Sequence, residues 1–294
     1  MKNTLRPCHV IEIVTPKKFV LNGLWFGPAK PKRVIIFIHG LTASLFSMRD
    51  VVDALTDSKT AVVTFNNRGF EQVSEVKRII GEERKWIKAG AGHEKFTDCI
   101  DDIQGAIDFV RKAGVKEIYL AGHSTGSQKA CYWAAKNGRG VKGIILLGPL
   151  SDYAILVSQD KAGSLRRAVA RAKRLVQSGK SHAFMPEGSG LWFTCDAQRF
   201  LSLSTPDSPE EIFTYAQPNK IPRLLRSIRI PILVLLAGAE EHGKESPREL
   251  ASWFRGKLRG PHTVSIVPKV GHGFKGGEKT IARAVGDFIK TALH

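Results

Sequence analysis

Five stretches of this chain are apolar from end to end, and they constrain its fold more than any other feature. "RVIIFIHG" (33–40), "TAVVTFNNRG" (60–69), "EIYLAGH" (117–123), "VKGIILLGP" (141–149) and "PILVLLAG" (231–238) lack the polar alternation of a half-exposed strand, and turn residues end them. Strands of that composition are buried on both faces, which happens when a parallel sheet is covered by helices on each side. "HTVSIVPKVGH" (262–272) is a weaker sixth, and "HVIEIV" and "FVLNGLWF" read as an opening antiparallel hairpin around Pro16.

Helical periodicity fills the gaps. Phe96, Ile100, Ile103, Ile107 and Val110 recur at helical spacing ahead of Gly114, a stop signal. Ser246 and Pro247 read as a cap and first residue of another helix, and "EKTIARAVGDFIKTAL" as an amphipathic one near the end. The alternation predicts an α/β protein with a mostly parallel central sheet and helices on both faces. It is broken between residues 151 and 226, where no buried-strand pattern occurs but helical stretches do. So long a segment without structure is improbable, so it is expected to be a helical cap insertion over the carboxyl ends of the strands. Residues 1–150 and 227–294 would then form the core.

Ser124 lies in "GHSTG", between the apolar run 117–121 and the helix-forming run "SQKACYWAAKN". A serine hydroxyl is a weak nucleophile and needs a base, a group that orients the base, and donors for the oxyanion formed on attack. Small residues at 122 and 126 permit the sharp strand-to-helix turn that lifts the serine Oγ above the sheet. His272, flanked by glycines after the last strand, is the candidate base. "AGAEEHG" offers Glu241 or Glu240 as the acid; Glu241 is preferred because adjacent side chains diverge, and Asp152, also after a strand end, is a third candidate. Leu41, after the first buried strand, and Thr125 are the candidate oxyanion donors through their backbone N–H groups. Serine, acid and histidine occur in that chain order, each at a strand end.

On these motifs, "HGLTAS", "NNRG", "GHSTG", "AGAEEH" and "GHG", nearly the whole chain resembles the α/β-hydrolase fold. "GHSTGSQ" with "HEKFTDCIDDI" more narrowly resembles its siderophore-esterase-like branch. The resemblance implies a serine hydrolase that cleaves carboxylic esters through a Ser124–His272–Glu241 triad and an acyl-enzyme, with neither cofactor nor metal in the reaction. Glutamate departs from the aspartate more frequent in the family. Acyl transfer, or hydrolysis of an amide, thioester or C–C bond, would use the same residues, and a non-catalytic binding protein on this scaffold is a third class.

The expected partner is a small-molecule ester. Trp192 and Phe193 are candidate substrate-binding residues, and Leu165, Val169, Ala172 and Val176 could form the inward stripe of a helix whose Arg167, Arg171 and Arg174 face out. An anionic or aromatic ester is expected; a formal charge of +18 favours an anionic one, although a basic surface is more often simply solvated. No nucleic-acid motif occurs, the four scattered cysteines show no paired metal-ligand spacing, and no apolar stretch is long enough to span a bilayer. The opening residues do not read as a secretory leader, so a cytoplasmic location is expected.

Overall fold

The computed structural model describes residues 5–136, 138–160, 162–239 and 242–292. Six strands form a parallel block: β3 (Arg33–Ile38), β4 (Thr60–Phe65), β7 (Glu117–His123), β8 (Gly143–Leu147), β9 (Ile232–Ala237) and β10 (His262–Val267), in the order β10-β9-β8-β7-β3-β4. The five continuous apolar runs are five of these strands, and "HTVSIV" is the outermost. Two of the six residues of β10 are exposed and two more half-buried, which is why its apolar signal is weaker.

Period-two geometry divides each apolar run between two cores. Val34, Ile36 and Ile38 join one cluster; Ile35 and Phe37 join the other. The first cluster is covered by α2 (Cys99–Lys112), α3 (Thr125–Lys136) and α8 (Pro247–Lys257), the second by α1 (Arg49–Leu55) and α9 (Glu278–Thr291). Each fully buried Ile, Leu or Phe contributes about 1.5–3 kcal/mol relative to an exposed one. Ser246 caps α8 in a reciprocal box with Glu249, and Pro247 opens the helix.

β1 (Cys8–Val14) and β2 (Phe19–Phe26) form the antiparallel hairpin, and β2 joins it to β4. Beyond them β5 (Ser74–Ile80) and β6 (Glu83–Ala89) make a second hairpin that the apolar pattern does not reveal. Its strands are charged and largely exposed, and its turn is a two-residue loop with Gly81 at φ 62°. Cross-strand contacts hold it, including Lys77 over the Trp86 ring.

Between β8 and β9 the chain forms α4 (Asp152–Gln159), α5 (Ser164–Gln177), α6 (Ala197–Ser204) and α7 (Arg223–Ser227). Leu156, Leu165, Ala172, Phe193, Phe200 and Leu203 gather in a third core, with Val169 and Val176 packed against it. The arginines 166, 167, 171 and 174 face solvent. Ile212, Phe213 and Leu225 instead pack into the first core, so the later part of the segment lies on the sheet's helical layer.

A polar network ties the insertion to the sheet. Arg199 of α6 is fully buried and grips Glu210 through two bonds of 2.5 and 3.0 Å, with Glu94 at 3.4 Å. Lys129 of α3, also buried, donates to Glu94 at 2.5 Å and to Asn67 at 2.9 Å. Arg68 of "NNRG" donates to Asp102 at 2.7 Å and Asp101 at 3.1 Å and stacks on Phe19, joining the loop after β4 to α2. Among the described residues no helix is long and apolar enough to cross a membrane.

Candidate active site

Ser124 is the single residue between the end of β7 and the start of α3, so it must turn the chain by itself. Its φ of 55° lies in the left-handed region, where a non-glycine residue costs about 1–3 kcal/mol and persists only when its surroundings hold it. They do so here. The Ser124 N–H donates to the Leu147 carbonyl at 2.9 Å, and the Ser124 carbonyl accepts from the Ser127 N–H at 2.8 Å. A Cβ on Gly122 would collide with the carbonyl of Gly126, and one on Gly126 with the carbonyl of Ile38. The two glycines therefore let the helix start close against the strands, and Ser124 stands partly exposed above them.

One candidate oxyanion donor, Thr125, lies at this turn, and the other, Leu41, follows a glycine that passes beside it. Thr125 is the first residue of α3, a position whose N–H has no partner within the helix and lies at the positive end of its dipole. Gly40 ends the run after β3, and a Cβ there would sit 3.0 Å from the Ser124 Cβ, so the following loop passes directly beside the serine. A turn closed by Ala43 N–H donating to Gly40 O, with Thr42 at φ 55°, has Leu41 as its second residue, whose N–H is not used to close the turn. His39 beneath it is buried, and burial with the nearby Lys129 pushes its imidazole down to about 4.

His272 follows β10 and meets two other imidazoles. Its ring is 4.7 Å from His123 and 4.9 Å from His242, the latter perpendicular. The His123 Nε2–H donates to the His272 carbonyl at 2.9 Å, joining the residue before Ser124 to the histidine loop. Burial, then His123 and His242, push the His272 imidazole down to about 3, and burial also lowers His123. Both rings are therefore neutral near pH 7, the form in which His272 can accept a proton.

Glu241 and Glu240 lie outside the described residues. On one side of them, Gly238 and Ala239 donate to the Val267 and Val270 carbonyls, each at 2.9 Å; on the other, His242 packs edge-on against His272. Asp152 accepts from Gln128 at 3.2 Å, and burial beside Glu210 raises its carboxyl to about 7. A small cavity of about 50 Å³ is lined by His272 together with Gly148, Leu150, Tyr215, Leu236 and His242 among others.

Trp192 and Phe193 pack together at 5.2 Å, Trp192 70% exposed and Phe193 buried in the third core. They border a cavity of about 290 Å³ with Gln72, Met185 and Phe200, whose lining includes neither Ser124 nor His272. Leu45 is buried and Phe46 exposed. The roles of His123 and His242 were missed in the sequence, although both stand inside motifs that carried other assignments. No spacing rule marks a histidine whose task is to pack on another histidine.

Gly148, just past β8, makes room for the His272 ring. A Cβ there would lie 3.0 Å from His272 Nδ1, and the glycine sits at φ 56°. Gly148→Ala is expected to leave a folded protein but to displace the imidazole. A shift of about 1 Å in such a group costs about a hundredfold in rate, so turnover should fall by that order while the circular dichroism spectrum is retained.

A sequence profile described as serine aminopeptidase, S33, matches residues 29–186, more than half of the chain. The chain belongs to this family. It is thus an α/β hydrolase, as the sheet order and the strand–Ser124–helix turn also indicate. No curated protein matches the S33-family chain in sequence. Among solved structures it is similar to the siderophore hydrolase EstB from Aspergillus fumigatus, with a TM-score of 0.69 at 16% identity over 99% of this chain and 100% of that one. Est1E from Butyrivibrio proteoclasticus, in a structure with ferulic acid bound, gives 0.62 at 16% identity over 96% and 99%. An esterase from Pyrococcus furiosus gives 0.60 at 16% identity over 100% and 96%. At such identities these likenesses concern the fold.

Proposed function

We propose that this S33-family hydrolase cleaves carboxylic esters through a covalent acyl-serine. The observation that carries the reading is Ser124 itself, held in the left-handed region at the strand–helix turn with the His272 loop fastened to the residue before it. Neutral His272 accepts the Ser124 proton as Oγ attacks the ester carbonyl, and the Leu41 and Thr125 N–H groups receive the oxyanion. His272 then protonates the departing alcohol and activates a water that releases the acid. Glu241 orients the imidazole and stabilises its charged form. The segment 151–226 acts as a cap, with Trp192 and Phe193 as its candidate contacts for substrate.

An anionic or aromatic acid part suits the surroundings. The arginine face of α5 and the formal charge of +18 attract anions, and the ferulic acid in the Est1E structure is an aromatic acid. The family description makes cleavage of an N-terminal peptide bond the second reading. A basic protein disfavours the α-ammonium group of such a substrate, and parallel assays with aryl esters and aminoacyl anilides separate the two.

The test is intact mass after treatment with a small fluorophosphonate, in which Oγ bonds to phosphorus and fluoride leaves. One adduct is expected on the wild type and none on Ser124→Ala. A folded wild type without adduct, or an adduct kept by the variant, contradicts the reading. For the acid, Glu241→Gln is expected to lower kcat by roughly 10⁴-fold, against less than about tenfold for Glu240→Gln or Asp152→Asn. A reversed order in steady-state ester assays would reassign the acid.

A further inference from the structure

Away from Ser124, three side chains from three parts of the chain meet on one oxygen. Asp196, at the start of α6, has a fully buried carboxylate. Its Oδ1 accepts from the Arg199 N–H at 2.8 Å, which fixes its orientation. Its Oδ2 lies 2.8 Å from His93 Nδ1 and 2.8 Å from His182 Nδ1. The two rings are 4.3 Å apart, and suitable ligand atoms of all three residues lie within 4.8 Å of one another. His93 belongs to the loop after β6, His182 to the loop after α5. The backbone holds the site too, since Asp196 N–H donates to the Gly92 carbonyl at 2.8 Å.

We propose that His93, His182 and Asp196 bind a divalent cation of the zinc type, which fastens the insertion to the loop at residues 90–94. Two imidazole nitrogens and one carboxylate oxygen are the donors that suit Zn²⁺. Bonds of about 2.0–2.2 Å in a tetrahedral arrangement place ligand atoms roughly 3.3 Å apart. The two separations of 2.8 Å to the carboxylate therefore open by about half an ångström, and the three ligand atoms already lie within 4.8 Å of one another. In the Nε2–H tautomer each imidazole turns its Nδ1 lone pair toward the ion. His182, with a side chain 62% exposed, provides the entry path, and water completes the fourth position. The ion takes no part in the ester chemistry.

The assignment goes beyond the hydrolase reading and does not depend on it. The test titrates chelator-treated, full-length protein with Zn²⁺ by calorimetry and with Co²⁺ by visible absorption, beside His182→Gln and His93→Gln. The wild type is expected to bind one Zn²⁺ and to show tetrahedral Co²⁺ bands. At a hundredfold excess over the dissociation constant its melting temperature should rise by about 5 °C. Each variant should bind at least about a hundredfold more weakly and lose the bands. Zn²⁺ affinity undiminished in both variants would place the ion elsewhere, for instance on His242 and His272, and overturn the assignment. So would the absence of saturable binding to the wild type.

Discussion

Ser124→Ala is expected to lower kcat for a short activated ester by roughly a millionfold, the scale on which loss of a serine nucleophile acts, with the protein remaining folded. The backbone makes a second outcome expected. Position 124 sits at φ 55°, so alanine inherits the strain that serine bears, whereas glycine does not. Ser124→Gly should therefore be as inactive as Ser124→Ala yet about 1 kcal/mol more stable than it in urea unfolding. Equal stability of the two would mean that the turn is unstrained. Residual activity above a hundredth of wild type in either would remove Ser124 from the chemistry.

Arg199→Leu should be the most damaging change outside the candidate site. The guanidinium is fully buried, holds Glu210 through two bonds and Glu94 through a third contact, and donates to the Ala91 carbonyl at 3.1 Å. Leucine fills part of the volume but leaves Glu210 buried without its cation. Breaking one side of such a pair costs about 3–5 kcal/mol, which for a chain of this size lowers the melting temperature by about 10 °C. Arg199→Leu combined with Glu210→Leu removes both charges and should be less destabilised than the single change. If the double variant is no more stable than the single one, the pair does not hold the insertion in this way. Lys129 and Glu94 extend the network to α3 a turn beyond Ser124, so the loosened variant should lose ester turnover before it unfolds.

What could be read in the sequence followed from one-dimensional rules. Continuous apolar runs such as Val34–Ile38 reveal strands buried on both faces because both sides of the pleat must be apolar. "GHSTG" reveals the turn at Ser124 because helix and strand backbones can approach so closely only where two residues lack a Cβ. The stripe of Leu165 and Ala172 against the outward arginines of α5 was legible for the same reason, a fixed helical period.

The hairpin of β5 and β6 was not, since its exposed, charged strands depend on cross-strand pairing rather than on burial. Nor was the placing of Trp192, whose ring points to solvent in a loop that no local rule orients. Only the tertiary structure decided which polar groups meet. The packing of His123 and His242 on His272, the salt bridges from Arg199 to Glu94 and Glu210, and the convergence of His93 and His182 on Asp196 each join residues that lie on different elements or loops and that no helical or strand period pairs. Apolar burial is set by local pattern, because any apolar neighbour will do. A buried charge or imidazole needs a particular partner, and only the folded chain brings the two together.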